Sequence, residues 1–222
     1  LTLEGLTGEY YIVTKACDKA GNCVTEASNQ YYLDNEAPII TLGTNGNTSY
    51  TKSASTKITV TSKTGTLDNN SLLYVVSKDK TAVPTISYAN NETIKIDNLT
   101  GDYYIIAKAC DNVGNCTTIT SKAYHLDNEG PTIVYGTNGN STYSKTGSTK
   151  ITITDNYGVD DNTVKYIVSK ERDGEPTKVL LNGATISLGT VTGDYYVVTQ
   201  ACDNAGNCTT LATNVFKMDN TA

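Results

Sequence analysis

GDYYIIAKACDNVGNC, residues 101–116, is the stretch from which the fold can be read. Tyr103, Ile105, Ala107 and Ala109 alternate with Tyr104, Ile106, Lys108 and Cys110, a period of two that belongs to a β-strand. Lys108 marks its own parity as outward, because a long cationic side chain does not sit unpaired in a core. Tyr103 and Ala107 therefore face inward. The D-N-V-G-N that follows carries the residues of a tight turn.

The same phrase stands at 8–23 as GEYYIVTKACDKAGNC and at 193–208 as GDYYVVTQACDNAGNC. Cys110 follows Cys17 by 93 residues and Cys202 follows Cys110 by 92, so the period is long enough to be a domain. LDNEAP at 33–38 returns as LDNEGP at 126–131, and GTNGN at 43–47 returns at 136–140. Cutting after each Asp-Asn pair divides the chain into 1–35, the last part of a repeat, and two whole repeats, 36–128 and 129–222. In the last repeat, strands are expected near Thr132–Tyr135, Thr149–Thr154, Val164–Ser169, Lys178–Leu181, Thr185–Leu188, Tyr195–Cys202 and Thr209–Met218. Seven short strands with turn residues in every gap, and no 3.6-residue period, predict an all-β chain of tandem immunoglobulin-like β-sandwich domains. Tyr10, Tyr103 and Tyr195 each stand two residues after a Gly where the fifth strand turns into the sixth, the place of a tyrosine corner.

Composition narrows the function. Lys and Arg number 17 against 23 Asp and Glu, a net charge of −6, so no basic surface exists for nucleic acid. With 38% hydrophobic and 18% charged residues the chain is too apolar for disorder, yet no apolar run reaches the length of a membrane span. Sixteen Tyr with one Phe and no Trp, in a background of Thr, Asn and Gly, suit strands and turns. The one methionine is Met218 and no apolar targeting segment opens the sequence, which reads as a piece of something longer.

The G-x-Y-x-V-x-A-x-D-x-x-G-N phrase and the D-N-x-A-P phrase resemble the bacterial immunoglobulin-like repeats found in tandem in large surface proteins and adhesins. The resemblance covers nearly the whole chain and implies an extracellular, cell-surface setting, with further repeats of the same protein as neighbours. It implies little about function, because such domains carry many roles. Cysteines flanking the D-x-x-G-N loop are a departure from many such repeats.

Those cysteines form three pairs, Cys17 with Cys23, Cys110 with Cys116 and Cys202 with Cys208. Zinc would need more ligands, and the chain has one histidine, His125. If the loop joins the sixth and seventh strands, each pair flanks a hairpin turn at a separation suited to a disulfide, and three repeated disulfides argue for an oxidising compartment. Buried reduced thiols would not have to recur around a turn.

His125 aligns with Tyr32 and Lys217, so no nucleophile-base pair recurs, and GTNGN lacks the Lys and helix of a phosphate loop. No enzyme is expected. The acids recur differently. Asp18, Asp111 and Asp203 open the loop after the sixth strand, whereas Asp34, Asp127 and Asp219 close the seventh, at the opposite pole of a sandwich. The end of one repeat thus presents carboxylates to the start of the next. At the second junction Asp127, Asn128 and Glu129 should meet Asp203, Asp155 and Asn156. At the first, Asp34, Asn35 and Glu36 should meet Asp111, with Ser62 and Lys63 in place of Asp155 and Asn156. Converging oxygen ligands suit Ca²⁺, and the first site should bind it more weakly. In the repeats that the chain resembles, these positions bind calcium in some members. The alternative is that each Asp caps its own turn.

The reading that results is a non-enzymatic structural or stalk segment of rigid domains in series. No Gly/Ser spacer separates Asp127 from Pro131, and Pro favours an extended path there. The rival reading is a module for a glycan, or for a host or cell-surface protein, using the outward tyrosines Tyr11, Tyr104 and Tyr196 as a platform.

Overall fold

The computed structural model describes residues 1–221. Four short strands come first: β1 (Gly8–Tyr10), β2 (Val13–Cys17), β3 (Cys23–Ala27) and β4 (Tyr31–Leu33). The first whole repeat holds β5 (Ile39–Leu42), β6 (Ser53–Thr61), β7 (Leu67–Ser77), β8 (Ile86–Ser87), β9 (Thr93–Asp97), β10 (Gly101–Asp111), β11 (Cys116–Thr120) and β12 (Tyr124–Leu126). The second holds β13 (Thr132–Tyr135), β14 (Ser148–Thr154), β15 (Val159–Ser169), β16 (Lys178–Val179), β17 (Thr185–Ser187), β18 (Gly193–Asp203), β19 (Cys208–Ala212) and β20 (Phe216–Met218). No helix occurs among the described residues, so none is long and apolar enough to cross a membrane.

The chain forms two compact units. One comprises 1–46, 55–95 and 103–123; the other comprises 47–54, 96–102 and 124–222. In the second unit β13, β14 and β17 form one sheet, while β16, β15, β18 and β19 form another, with β20 added to β18. Their facing sides share one core: Ile133, Ile151, Ile153 and Ile186 from the first sheet, Val164, Val197, Ala201, Phe216 and Met218 from the other. Two sheets closing on one core make a β-sandwich. The core positions on β14 are alternate residues, and Lys150 and Thr152 between them are exposed, as a strand covered on one face requires.

The first unit repeats this plan, with β5, β6 and β9 in one sheet and β8, β7, β10 and β11 in the other. Ile40, Ile58, Val60, Leu72, Ile94, Ile105 and Ala109 are buried there. The chain is therefore all-β and built of tandem immunoglobulin-like sandwiches. The predicted strands are present, with one difference: the expected last strand is two, β19 and β20. Thr213 breaks it, and its hydroxyl accepts the Val197 N–H at 3.0 Å in place of a ladder bond.

The face assignment of the central strand holds for Ala107 and Thr199, both fully buried. Ile106 and Val198 are also buried, although they share the outward parity of Lys108 and Gln200. β10 and β18 are central strands, and cross-strand neighbours cover the outward side as well; Val75 and Thr120 flank Ile106, and Ile167 and Ala212 flank Val198. The Tyr10 hydroxyl donates to the Thr7 carbonyl at 3.3 Å, the bond of a tyrosine corner.

Within residues 1–35 the strands pair only as β1 with β4 and β2 with β3. Every residue of β2 and β3 is exposed.

Candidate metal centre

Three disulfides close the hairpins that carry the repeated phrase. Cys17 faces Cys23, Cys110 faces Cys116 and Cys202 faces Cys208, and each pair is bonded. No free cysteine remains among the described residues. The loop inside each bridge is shaped by its first Asp. In the last copy Asp203 Oδ1 accepts the Asn207 N–H at 2.8 Å and Oδ2 accepts the Asn207 side-chain amide at 2.7 Å. Gly206, at φ 87°, makes the turn that an L side chain resists.

On the other side of β18 the ladder with β15 slips in register between Asp160 and Lys165. Thr163 fills the gap: its hydroxyl accepts the Cys202 N–H at 2.8 Å and donates to the Asp160 carbonyl at 2.7 Å. This bulge and the bridged loop together hold Asp203, which is 2% exposed.

Asp127, just past β12, and Asp155, just past β14, come to the same place. One carboxylate oxygen from each of Asp127, Asp155 and Asp203 lies within 4.8 Å of the others. Asp155 Oδ1 accepts the N–H groups of Tyr157 and Gly158 at 2.8 and 3.0 Å, so this carboxylate is set by its own turn. Asp127 is 1% exposed; its Oδ1 accepts the Glu129 N–H at 3.2 Å, and its Oδ2 is buried with no partner. Burial, and the charges of Asp203 and Asp155 against the opposing Glu129 hydrogen bond, push the Asp127 carboxyl above the usual carboxylate range. Among the described residues no Lys or Arg forms an ion pair with any of the three.

Such an arrangement is costly without a cation. Three acids share a site, two of them buried, and one oxygen points in with nothing to bond. Oxygen-only donors of this kind fit a hard divalent cation such as Ca²⁺, for which Asp127, Asp155 and Asp203 would be the side-chain ligands. Glu129, expected beside them, is exposed and contributes only its N–H; it lines a small pocket next to Asp155 and Asn156.

The corresponding place in the first unit is built otherwise. Asp34 Oδ1 accepts the Thr64 hydroxyl at 2.7 Å and the Glu36 N–H at 3.1 Å. Ser62 stands where Asp155 does and bonds the Thr64 carbonyl, so no third carboxylate is present. Glu36 is turned to Lys63, 3.4 Å away on the surface. Burial works to raise the Asp111 carboxyl, but hydrogen bonds from the Asn115 side chain and from the N–H groups of Asn115, Val113 and Gly114 outweigh it and hold it below the usual range. Asp34 Oδ2 is again buried without a partner. As the expectation of a weaker first site supposed, a hydroxyl donor and a Lys–Glu pair stand there in place of the third acid, and among the described residues only Asp127, Asp155 and Asp203 come together as a three-carboxylate cluster.

Sequence reading missed the asparagine that ends each D-x-x-G-N phrase. Asn207 Nδ2 donates to the Asp127 carbonyl at 2.9 Å, and Asn115 Nδ2 donates to the Asp34 carbonyl at 3.1 Å. Its signal was present, since Asn is the same in all three copies. A second omission is Tyr50, whose ring stacks on Tyr157.

The three outward tyrosines do not stand alike. Tyr11 is 57% exposed, whereas Tyr104 and Tyr196 are half-buried. The Lys80 ammonium lies 4.7 Å from the Tyr104 ring centroid, so that face is already covered by a cation.

No family model matches the chain, and no curated protein does. Among solved structures it is similar to the fibronectin(III)-like modules of Clostridium thermocellum CbhA, at 18% identity over 81% of this chain and 95% of that one, with a TM-score of 0.30. It is also similar to Sidekick-1 immunoglobulin domains 1–4, at 14% identity over 99% of this chain, with a TM-score of 0.39. The match spans 60% of the length of that Sidekick-1 chain.

Proposed function

We propose that the chain is a non-enzymatic structural segment of an extracellular, bacterial surface protein, in which sandwich domains follow one another in series and a Ca²⁺ ion fixes the passage from one repeat to the next. The observation that carries this reading is the carboxylate cluster. Asp127 ends one repeat, and Asp155 and Asp203 belong to the next, so a cation held by all three ties the repeats together. Asn207 supports it by holding the backbone of Asp127 from the later repeat. The three disulfides fit an oxidising compartment.

Calorimetric titration of the chelator-treated chain with Ca²⁺ tests this. One saturable site that is lost in Asp155→Ser and Asp203→Asn supports the proposal. An absence of binding, or binding unaffected by both substitutions, leaves the acids as turn caps and removes the support.

A further inference from the structure

On the reading of Asp127, Asp155 and Asp203 as a cation site, on which this rests, we propose that the Cys202–Cys208 disulfide sets the affinity of that site. A reductant of the dithiol class weakens the cation, and a bound cation in turn protects the bridge.

The bridge encloses two groups on which the cluster depends. Cys202 is the residue before Asp203, and Asn207 is the residue before Cys208. Asp203 brings one of the three carboxylates. Asn207 ties the loop to the far side of the cluster, because its amide donates to Asp203 Oδ2 at 2.7 Å and to the Asp127 carbonyl at 2.9 Å. The Asp203 N–H also donates to the Asn207 carbonyl at 2.9 Å. Cys202 faces Cys208 on the ladder of β18 with β19, so the bridge clamps the loop at its base.

The empty cluster works against that loop. Asp203 is 2% exposed and Asp127 1%, and Asp127 Oδ2 is buried with no partner. Without a cation, repulsion and desolvation favour any conformation that swings the Asp203 carboxylate out to water. The bridge leaves the loop few such conformations, and breaking it restores them. A site that is closed for a fraction of the time binds in proportion to that fraction. For a loop whose ends are 6 residues apart, the closure entropy bounds the loss of affinity at about thirtyfold. The hydrogen bonds between Asp203 and Asn207 keep part of the order, which places the expected loss at about tenfold.

Cys208 is exposed, so a small dithiol reaches it. Reduction carries two electrons and two protons from the dithiol to the bridge: the S–S bond breaks to two thiols, and the dithiol closes into its own disulfide. Linkage makes the effect reciprocal. A tenfold weaker cation in the reduced chain means a tenfold smaller equilibrium constant for reduction when the cation is bound, about 30 mV. The molecule carries its own control in Cys110–Cys116. Cys116 is likewise exposed and Asn115 makes the same bonds to the Asp111 carboxylate, but no third carboxylate assembles there among the described residues.

The test equilibrates the whole chain in dithiothreitol redox buffers, with Ca²⁺ or with chelator, then alkylates it and counts each cysteine pair by peptide mass spectrometry. Ca²⁺ should shift the Cys202–Cys208 pair about tenfold towards the disulfide and leave the Cys110–Cys116 pair where it is. In Asp155→Ser it should move neither pair. Calorimetric titration should give Cys202→Ser with Cys208→Ser a Kd for Ca²⁺ about tenfold above that of the unsubstituted chain, and Cys110→Ser with Cys116→Ser the unsubstituted value. No Ca²⁺ binding to the oxidised chain overturns the cation reading itself, and this inference with it. Binding to the oxidised chain that is equal without the bridge, or protection that both pairs share, overturns this inference alone. So does a Cys202→Ser, Cys208→Ser chain that has lost its folded state in chelator, because the bridge would then support the fold and not the site.

Discussion

The Tyr50 ring stacks on the Tyr157 ring with centroids 3.8 Å apart and planes inclined by 27°. One belongs to the first whole repeat and the other to the second, so an aromatic pair accompanies the carboxylate cluster where the repeats meet. Tyr157 lies two residues beyond Asp155 and donates its own N–H to that carboxylate. The stack and the cluster are thus set by one turn. Tyr157→Ala should lower stability by about 1 kcal/mol beyond the lost apolar area, and Tyr157→Phe should be nearly neutral. Urea unfolding of both variants and of Tyr50→Ala in a double-mutant cycle measures the coupling.

Burial, followed by the hydrogen bond to Asp102 and its charge, pushes the Tyr50 phenol up to about 12. Burial alone pushes Tyr88 to about 12. An acid whose folded value lies above its unfolded one adds stability that is complete below pH 10 and is lost as pH rises from there through 12. Tyrosinate absorbance should show both groups ionising last. Asp102→Asn should bring Tyr50 down towards 10 and leave Tyr88 where it is; movement of both, or of neither, would contradict the assigned causes.

Removing a carboxylate from the cluster should have opposite effects with and without a cation. In chelator Asp155→Ser relieves repulsion on Asp127, and the melting temperature should hold or rise. In Ca²⁺ the unsubstituted chain should melt higher, and the same variant should forfeit that increase. Thermal melts of both proteins in both media check the sign in each.

Each disulfide closes a loop whose ends are separated by 6 residues. Cys110→Ser with Cys116→Ser should cost about 2 kcal/mol in the chain-entropy account, because a short loop loses little freedom on closure. Denaturant unfolding gives the value. A thiol titration of the unreduced, unfolded chain should find no free thiol.

Asn207→Ala removes the amide that joins the Asp203 carboxylate to the Asp127 carbonyl. A loss of about 2–3 kcal/mol is expected, since one of the two bonds is to a charged and buried acceptor. Asn156→Ala, an exposed neighbour, serves as the control and should change stability little.

The strands were legible because burial on one face writes itself into alternate residues, as Ile151 and Ile153 around Thr152 show. The split of the last strand at Thr213 was not, because a hydroxyl that takes over a ladder bond leaves the pattern of apolar residues unchanged. The disulfide pairs followed from repetition around a turn. Among the acids, repetition marked Asp127 and Asp203 but marked Asp34 and Asp111 equally, and what separates the two places is Thr64 and Ser62 against Tyr157 and Asp155.

Sequence alone determined the all-β class, the period, the faces of strands covered on one side only and the cysteine partners. All of these follow from local alternation or from self-similarity, which require no knowledge of what lies across the fold. The sequence already set Asp155 against Ser62, but tertiary structure alone decided how closely Asp127, Asp155 and Asp203 approach, that Asp127 Oδ2 is left without a partner, that Thr64 takes Asp34 instead, and that Tyr50 meets Tyr157. Those outcomes depend on which loops close upon each other at distances of a few ångströms, and a carboxylate becomes a ligand or a turn cap according to whether a neighbour's hydroxyl, amide or charge reaches it first.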